Sequence, residues 1–109
     1  MSNSKKLVRE QFRNAVFKRD KYTCVKCGFK SSVEKCRENL DAHHIQDRNL
    51  LDHGGYIEEN GISLCKNCHE KAEAFHSTGI AVPGYSVEEL FQAIGSSLEK
   101  ATKACERLK

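Results

Sequence analysis

Between positions 6 and 20 the apolar residues Val8, Phe12, Ala15 and Val16 recur at steps of four, three and one, which predicts one buried face of a helix. The pattern then changes. Residues 29–39 are polar and without a clear period, and they read as a loop. A short run over 40–45 predicts a strand, and a second strand is predicted over 62–64. The segment between them is a long loop punctuated by Gly54-Gly55 and Asn60-Gly61. A helix is predicted over 67–76 and ends before Gly79, Pro83 and Gly84. Ser86-Val87-Glu88-Glu89 fits a capping box. From there Val87, Leu90, Phe91, Ile94, Leu98, Ala101, Cys105 and Leu108 form a stripe that predicts a single packing helix over 86–108.

At 109 residues the chain has room for one domain, read here as a single unit over 1–109. The first five or so positions are expected to fray. With only 7% aromatic residues and no Trp, the apolar core is modest, so a second constraint on the fold is expected. Charge is unevenly spread. Residues 1–30 hold nine Lys or Arg against Glu10 and Asp20, a net of +7, and the remainder holds nine against thirteen, a net of −4. The basic helix over 6–20 therefore reads as a phosphate-contacting surface or, by charge alone, as a solvated face. Met1–Asp20 carries Lys5, Lys6, Arg9 and Arg13 among short apolar pieces, unlike a secretory signal, and no stretch approaches a membrane span. A cytoplasmic setting is expected.

In a reducing compartment, paired cysteines bind metal more often than they cross-link. Cys24-x-x-Cys27 and Cys65-x-x-Cys68 are two zinc-ligand half-sites. Two cysteines at this spacing on a tight turn aim both sulfurs at one ion about 2.3 Å away, and two such turns complete a tetrahedron. The thirty-seven residues between Cys27 and Cys65 are accommodated if they fold as a hairpin. Four thiolates leave no coordination position for substrate, so the predicted Zn²⁺ is structural. Cys36 and Cys105 lie outside the pattern and read as ordinary thiols.

A second group of candidates is histidine. His43 and His44 end the first predicted strand, and His69 directly follows Cys68. Adjacent strand residues face opposite ways, so the pair suits two different tasks rather than one ion. In-line cleavage of a phosphodiester needs a base to activate water and a cation to neutralise the leaving oxygen. Imidazole titrates near neutrality, which suits the base.

Together, Leu40-Asp41-Ala42-His43-His44-Ile45, Asn60-Gly61-Ile62-Ser63-Leu64 and Cys65-Lys66-Asn67-Cys68-His69 resemble the signature of the HNH endonuclease family. The run from Arg19 to Gly28, with Tyr22, Cys24 and Cys27, is typical of its zinc-bound members. The resemblance covers roughly residues 12 to 76 and implies an α+β fold. Its small ββα-metal core would span 24–76, braced by the four-cysteine zinc and flanked by the N-terminal and C-terminal helices. It implies His44 as general base, His43 and His69 as ligands of one catalytic divalent cation, and Asn60 as the residue that holds the loop and orients His44. The implied activity is metal-dependent hydrolysis of DNA. It leaves a 5′-phosphate and a 3′-hydroxyl, nicks one strand per site and makes a double-strand break if two sites pair.

Many relatives place a second ligand one turn after the helix histidine, where this chain has Glu73. Glu73 is either a ligand, favouring Mg²⁺ or Mn²⁺ over Zn²⁺ or Ni²⁺, or a solvated helix residue. His76 reads as structural and His53 as a surface residue. Arg48 reads as a phosphate clamp or a salt-bridge partner. DNA, met mainly through its phosphates, is the expected partner, with a homodimer or a phage packaging partner as further possibilities and a bacterial or phage-infected cell as the setting. The competing reading is a non-catalytic zinc module that binds DNA or protein.

Overall fold

The computed structural model describes residues 2–107, ordered as helix α1 (Ser2–Arg19), a single helical turn α2 (Cys36–Asn39), strand β1 (Leu40–His44), strand β2 (Gly61–Cys65), and helices α3 (Lys66–Thr78), α4 (Val87–Ala93) and α5 (Leu98–Glu106). β1 and β2 pair antiparallel, with Leu40 opposite Cys65, His43 opposite Ile62 and His44 opposite Gly61. The 16-residue hairpin connection, numbered 45–60, carries three short 3₁₀ turns. Gly54 and Gly55 take positive φ there, as the Gly-Gly punctuation predicts.

Helix α1 buries Phe12, Val16 and Phe17 against β2. Gly61 makes that approach possible, because a Cβ at this position would collide with Val16 and come within 2.8 Å of the Phe12 ring. The end of α1 is locked by charge. Arg19 donates to the carbonyls of Glu58 and Gly61 at 2.6 and 2.7 Å and forks onto the Asp20 carboxylate at 2.8 Å. Asp20 in turn accepts the Ser63 backbone N–H at 2.9 Å. The Gly61 carbonyl and the Ser63 N–H on this side of β2 are thus satisfied without a third strand.

The cysteine turn sits between these elements. Cys24 N–H donates to Phe29, Gly28 at φ +82° closes the turn, and Val25 N–H donates to Ser63, which fixes the turn to β2. The core joins Phe17, Leu40, Ile45, Ile62 and Leu64 to Leu90, Phe91 and Ala101.

Three expectations are corrected. The loop expected over 29–39 contains an isolated bridge from Thr23 to Lys30 and the turn α2, seated by buried Cys36. The first helix begins at Ser2 rather than at position 6. The single helix expected over 86–108 is two. The capping box at Ser86 and Glu89 forms, but Gly95 takes φ +69° and Ser97 caps a new helix by accepting the Lys100 N–H at 3.1 Å. One apolar stripe thus spans a break, because both helices turn their apolar sides to the same core. Its last member, Leu108, lies outside the described residues.

Candidate functional site

The four predicted zinc cysteines converge: the sulfurs of Cys24, Cys27, Cys65 and Cys68 all lie within 4.8 Å of one another. Cys27 and Cys65 sulfurs stand 3.7 Å apart. A disulfide requires about 2.05 Å. A tetrahedron of sulfurs about 2.3 Å from zinc has edges of about 3.8 Å, so the spacing fits zinc. Cys65 also caps α3, its sulfur accepting the Cys68 N–H at 3.5 Å. Burial works to raise the Cys24 thiol, but the N–H groups of Cys27, Cys65 and Lys26 outweigh it and bring it down to about 7. Burial and the neighbouring sulfurs push Cys68 up to about 12. Without a cation the cluster does not hold four thiolates together, whereas a dication would make that charge balance possible.

A second cluster forms where β1 faces α3. Residues 41 and 43 share that side of the strand, and His69 and Glu73 share one side of the helix. Ligand atoms of His43, His69 and Glu73 lie within 4.8 Å of one another. His43 is 2% exposed and neither ring nitrogen has a hydrogen-bond partner, although Glu73 Oε1 stands 3.2 Å from its Nδ1. Burial, reinforced by the neighbouring imidazoles, pushes His43 down to about 3. It is therefore neutral, and the approach of Glu73 is not an ion pair. A buried neutral nitrogen without a donor or acceptor, aimed at a carboxylate, fits a cation held between them. Glu73 Oε1 also lies 3.6 Å from His69 Nε2.

His69 is oriented from behind. Its Nδ1 lies 2.9 Å from Asp41 Oδ2, while the other Asp41 oxygen accepts Lys66 Nζ at 2.8 Å. Fixing Nδ1 on a carboxylate leaves Nε2 turned to the cluster, the arrangement by which a second shell sets tautomer and basicity. Sequence reasoning passed over Asp41. The available signal was its position two residues before His43, on the same strand face.

His44 faces the other way, as strand alternation requires. Its ring stacks on Phe12 of α1 at 4.5 Å and 17°, and meets Tyr56 edge-on at 4.7 Å. Burial, then the charge of Arg48, push it down to about 4, so at neutral pH it is an unprotonated base. It lines two adjoining grooves, one leading to the His43 cluster and one to Arg9, Arg13 and Arg37. Asn60 is fully buried. It accepts the Gln46 N–H at 2.8 Å and donates to the carbonyls of Gln46 at 3.1 Å and Gly55 at 3.3 Å. One side chain thereby ties the backbone just after His44 to the loop that carries Tyr56.

His76 lies closer to this assembly than expected, its ring 5.4 Å from His43 and its Nε2 3.2 Å from the His44 carbonyl. His53 is exposed, with φ +57°, in an outer groove away from the cluster. Cys36 and Cys105 are buried away from the cysteine cluster. Tyr85 was another residue passed over; its hydroxyl donates to the Cys68 sulfur at 3.3 Å.

An antiparallel strand pair and the helix that follows it, with a histidine cluster on one side and a cage of four cysteines at the base, define the ββα-metal class braced by zinc ligands. Residues 24–75 match the family model described as HNH endonuclease, so the ββα core with its cysteine cage is similar to an HNH endonuclease domain. No curated protein and no solved structure matches the chain. Among the described residues, no helix is long and apolar enough to cross a membrane.

Proposed function

We propose that the protein is a metal-dependent endonuclease that hydrolyses DNA phosphodiester bonds at the junction of the two grooves beside His44. The observation that carries this reading is the convergence of His43, His69 and Glu73 beside a neutral histidine on the opposite strand face. His43 Nδ1, His69 Nε2 and Glu73 Oε1 would hold one divalent cation. A carboxylate in the set favours Mg²⁺ or Mn²⁺, and the two imidazoles admit Zn²⁺ or Ni²⁺. When bound, that cation supplies positive charge for the oxygen that leaves phosphorus.

The chain's own residues do the remainder. His44 takes a proton from water as the water oxygen bonds to phosphorus, and the bond from phosphorus to the 3′ oxygen breaks; that oxygen takes a proton from solvent water and His44 returns its own to solvent, leaving a 5′-phosphate and a 3′-hydroxyl. Phe12 and Tyr56 hold the His44 ring in place. Asn60 acts as a positioning residue, since its three hydrogen bonds all go to backbone. Arg48, beside His44, offers a guanidinium fork to the phosphate under attack. The four cysteines hold a structural zinc that takes no part in the step. One such site cuts one strand, so a double-strand break needs two.

Conversion of supercoiled plasmid to open circle in Mg²⁺ or Mn²⁺ tests this reading. Wild type is expected to nick, and His44→Ala to be slower by roughly 10²–10⁴-fold, the usual worth of a positioned base. Equal nicking by both proteins, or none by wild type, overturns it.

A further inference from the structure

We infer that the cleaved strand is gripped on one side only: the groove walled by Arg9, Arg13, Arg37 and Arg48 holds the sugar-phosphate backbone on one flank of the scissile bond, and the opposite flank has no matching grip. The inference rests on the nuclease reading above and adds to it the direction in which the substrate is held.

Two grooves meet at Ala42, His44, Arg48 and His69, and their charges are opposite. The first is lined by four arginines against one acid, Asp41. That acid is already taken up by Lys66 at 2.8 Å and His69 at 2.9 Å. Among the described residues lining the second groove, Arg48 is the one side chain with a fixed positive charge, set against Asp47 and Glu73. The acids of the second groove attract a dication, whose charge would be engaged at the scissile phosphate itself, whereas the cationic trough is free to take the phosphates that follow it. A strand whose scissile phosphate lies at the junction therefore gains by running along the arginines, and the far side offers its flanking phosphates no second row of cations.

The arginines are placed for this task. Arg9 and Arg13 lie one helical turn apart on α1, so they are separated by about 6 Å along its axis on the same face. Arg13 Nε is shielded from solvent and has no acceptor among the described residues. A guanidinium in that state lacks the planar, two-oxygen partner that a phosphate provides. Arg48 is braced by its bond to the Tyr56 hydroxyl at 2.9 Å, and Arg9 reaches the same phenol. Arg37 stands exposed on α2, across the trough from α1.

The test uses wild-type protein and a duplex that carries one neutral methylphosphonate in place of a phosphate, with cleavage at every neighbouring bond read on a sequencing gel. Cleavage is expected to fall severalfold at bonds on one side of the neutral position and to stay unchanged on the other. Equal loss on both sides, or no loss on either, overturns the inference. Binding provides a second arm that needs no cleavage, measured by fluorescence anisotropy without added divalent cation. Arg13→Gln and Arg37→Gln should each reduce the slope of log K against log salt by about 1, one phosphate contact apiece. Arg37 is exposed, so its variant keeps the arm decisive if Arg13→Gln fails to fold. Unchanged slopes in folded variants overturn the grip itself. A wild type that binds with the expected slope and cuts no DNA overturns the nuclease reading instead, so the two failures are distinct.

Discussion

The cysteine cage and the histidine cluster share the start of α3, yet they differ in softness, closure and access. The cage takes four sulfurs, two from the turn after α1 and two from the start of α3, and leaves no position for a substrate. The cluster takes two imidazoles and one carboxylate; its Glu73 side chain is 50% exposed, and the groove beside it is open. Cys68 and His69 are consecutive, so one helix start serves both. Ligand closure, rather than ligand number alone, separates the cluster that shapes the fold from the one suited to chemistry.

The sharpest way to break this comparison is Cys68→Ser. Binding of zinc by four thiolates is worth about 10–16 kcal/mol in small domains and is inseparable from folding there. Loss of zinc by native mass spectrometry and loss of the cooperative thermal transition are both expected; a folded, zinc-free variant would remove the structural role. Asp41→Asn comes next. It should raise the Mn²⁺ concentration for half-maximal nicking by about 10–100-fold, as loss of a second-shell carboxylate does. Zinc content should stay at one equivalent, and an unchanged Mn²⁺ requirement would show that Asp41 does not orient His69.

The third effect is on stability against pH. His43 and His44 sit at about 3 and about 4 in the fold, both lowered first by burial, against 6.5 when exposed. As pH falls below 6.5 the unfolded chain takes up protons that the fold refuses, so stability declines until both groups are protonated in either state. In urea titrations without added divalent cation, His43→Asn should make that decline shallower by up to about 1.4 kcal/mol per pH unit. An identical slope would mean that His43 does not titrate as its burial requires. The smallest effect is expected for Tyr85→Phe, which loses one hydrogen bond to a zinc-ligand sulfur. About 1 kcal/mol, a few degrees in Tm, should go while zinc is retained; an unchanged Tm would leave that bond without weight.

Much of this arrangement was legible along the chain, for local reasons. A Cys-x-x-Cys turn carries its ligand geometry within four residues, and strand alternation separates His43 from His44 without any tertiary knowledge. The grouping of His43, Asn60 and His69 is what the resemblance to the HNH endonuclease family implies. Asp41 and Tyr85 were harder to see because their roles depend on what lies across a packing interface, an Nδ1 in one case and a sulfur in the other. The break at Gly95 was hidden for the opposite reason: the apolar stripe continued through it, and periodicity reports which side is buried rather than whether the backbone is continuous. The charge asymmetry of the first thirty residues was plain, but only the fold reveals that Arg9 and Arg13 meet Arg37 from α2 across one trough.

The family match begins at Cys24, five residues beyond the end of α1. Phe12, the flat surface on which the His44 ring lies, is upstream of it, as are the side chains that cover Gly61. A fragment cut to the matched borders would keep the four cysteines, His43, His69 and Glu73 and still lose the ring on which His44 lies, with an oily underside of the hairpin bared to water. The minimal folded unit of this protein is therefore larger than its recognisable motif, and the amino-terminal helix belongs inside it.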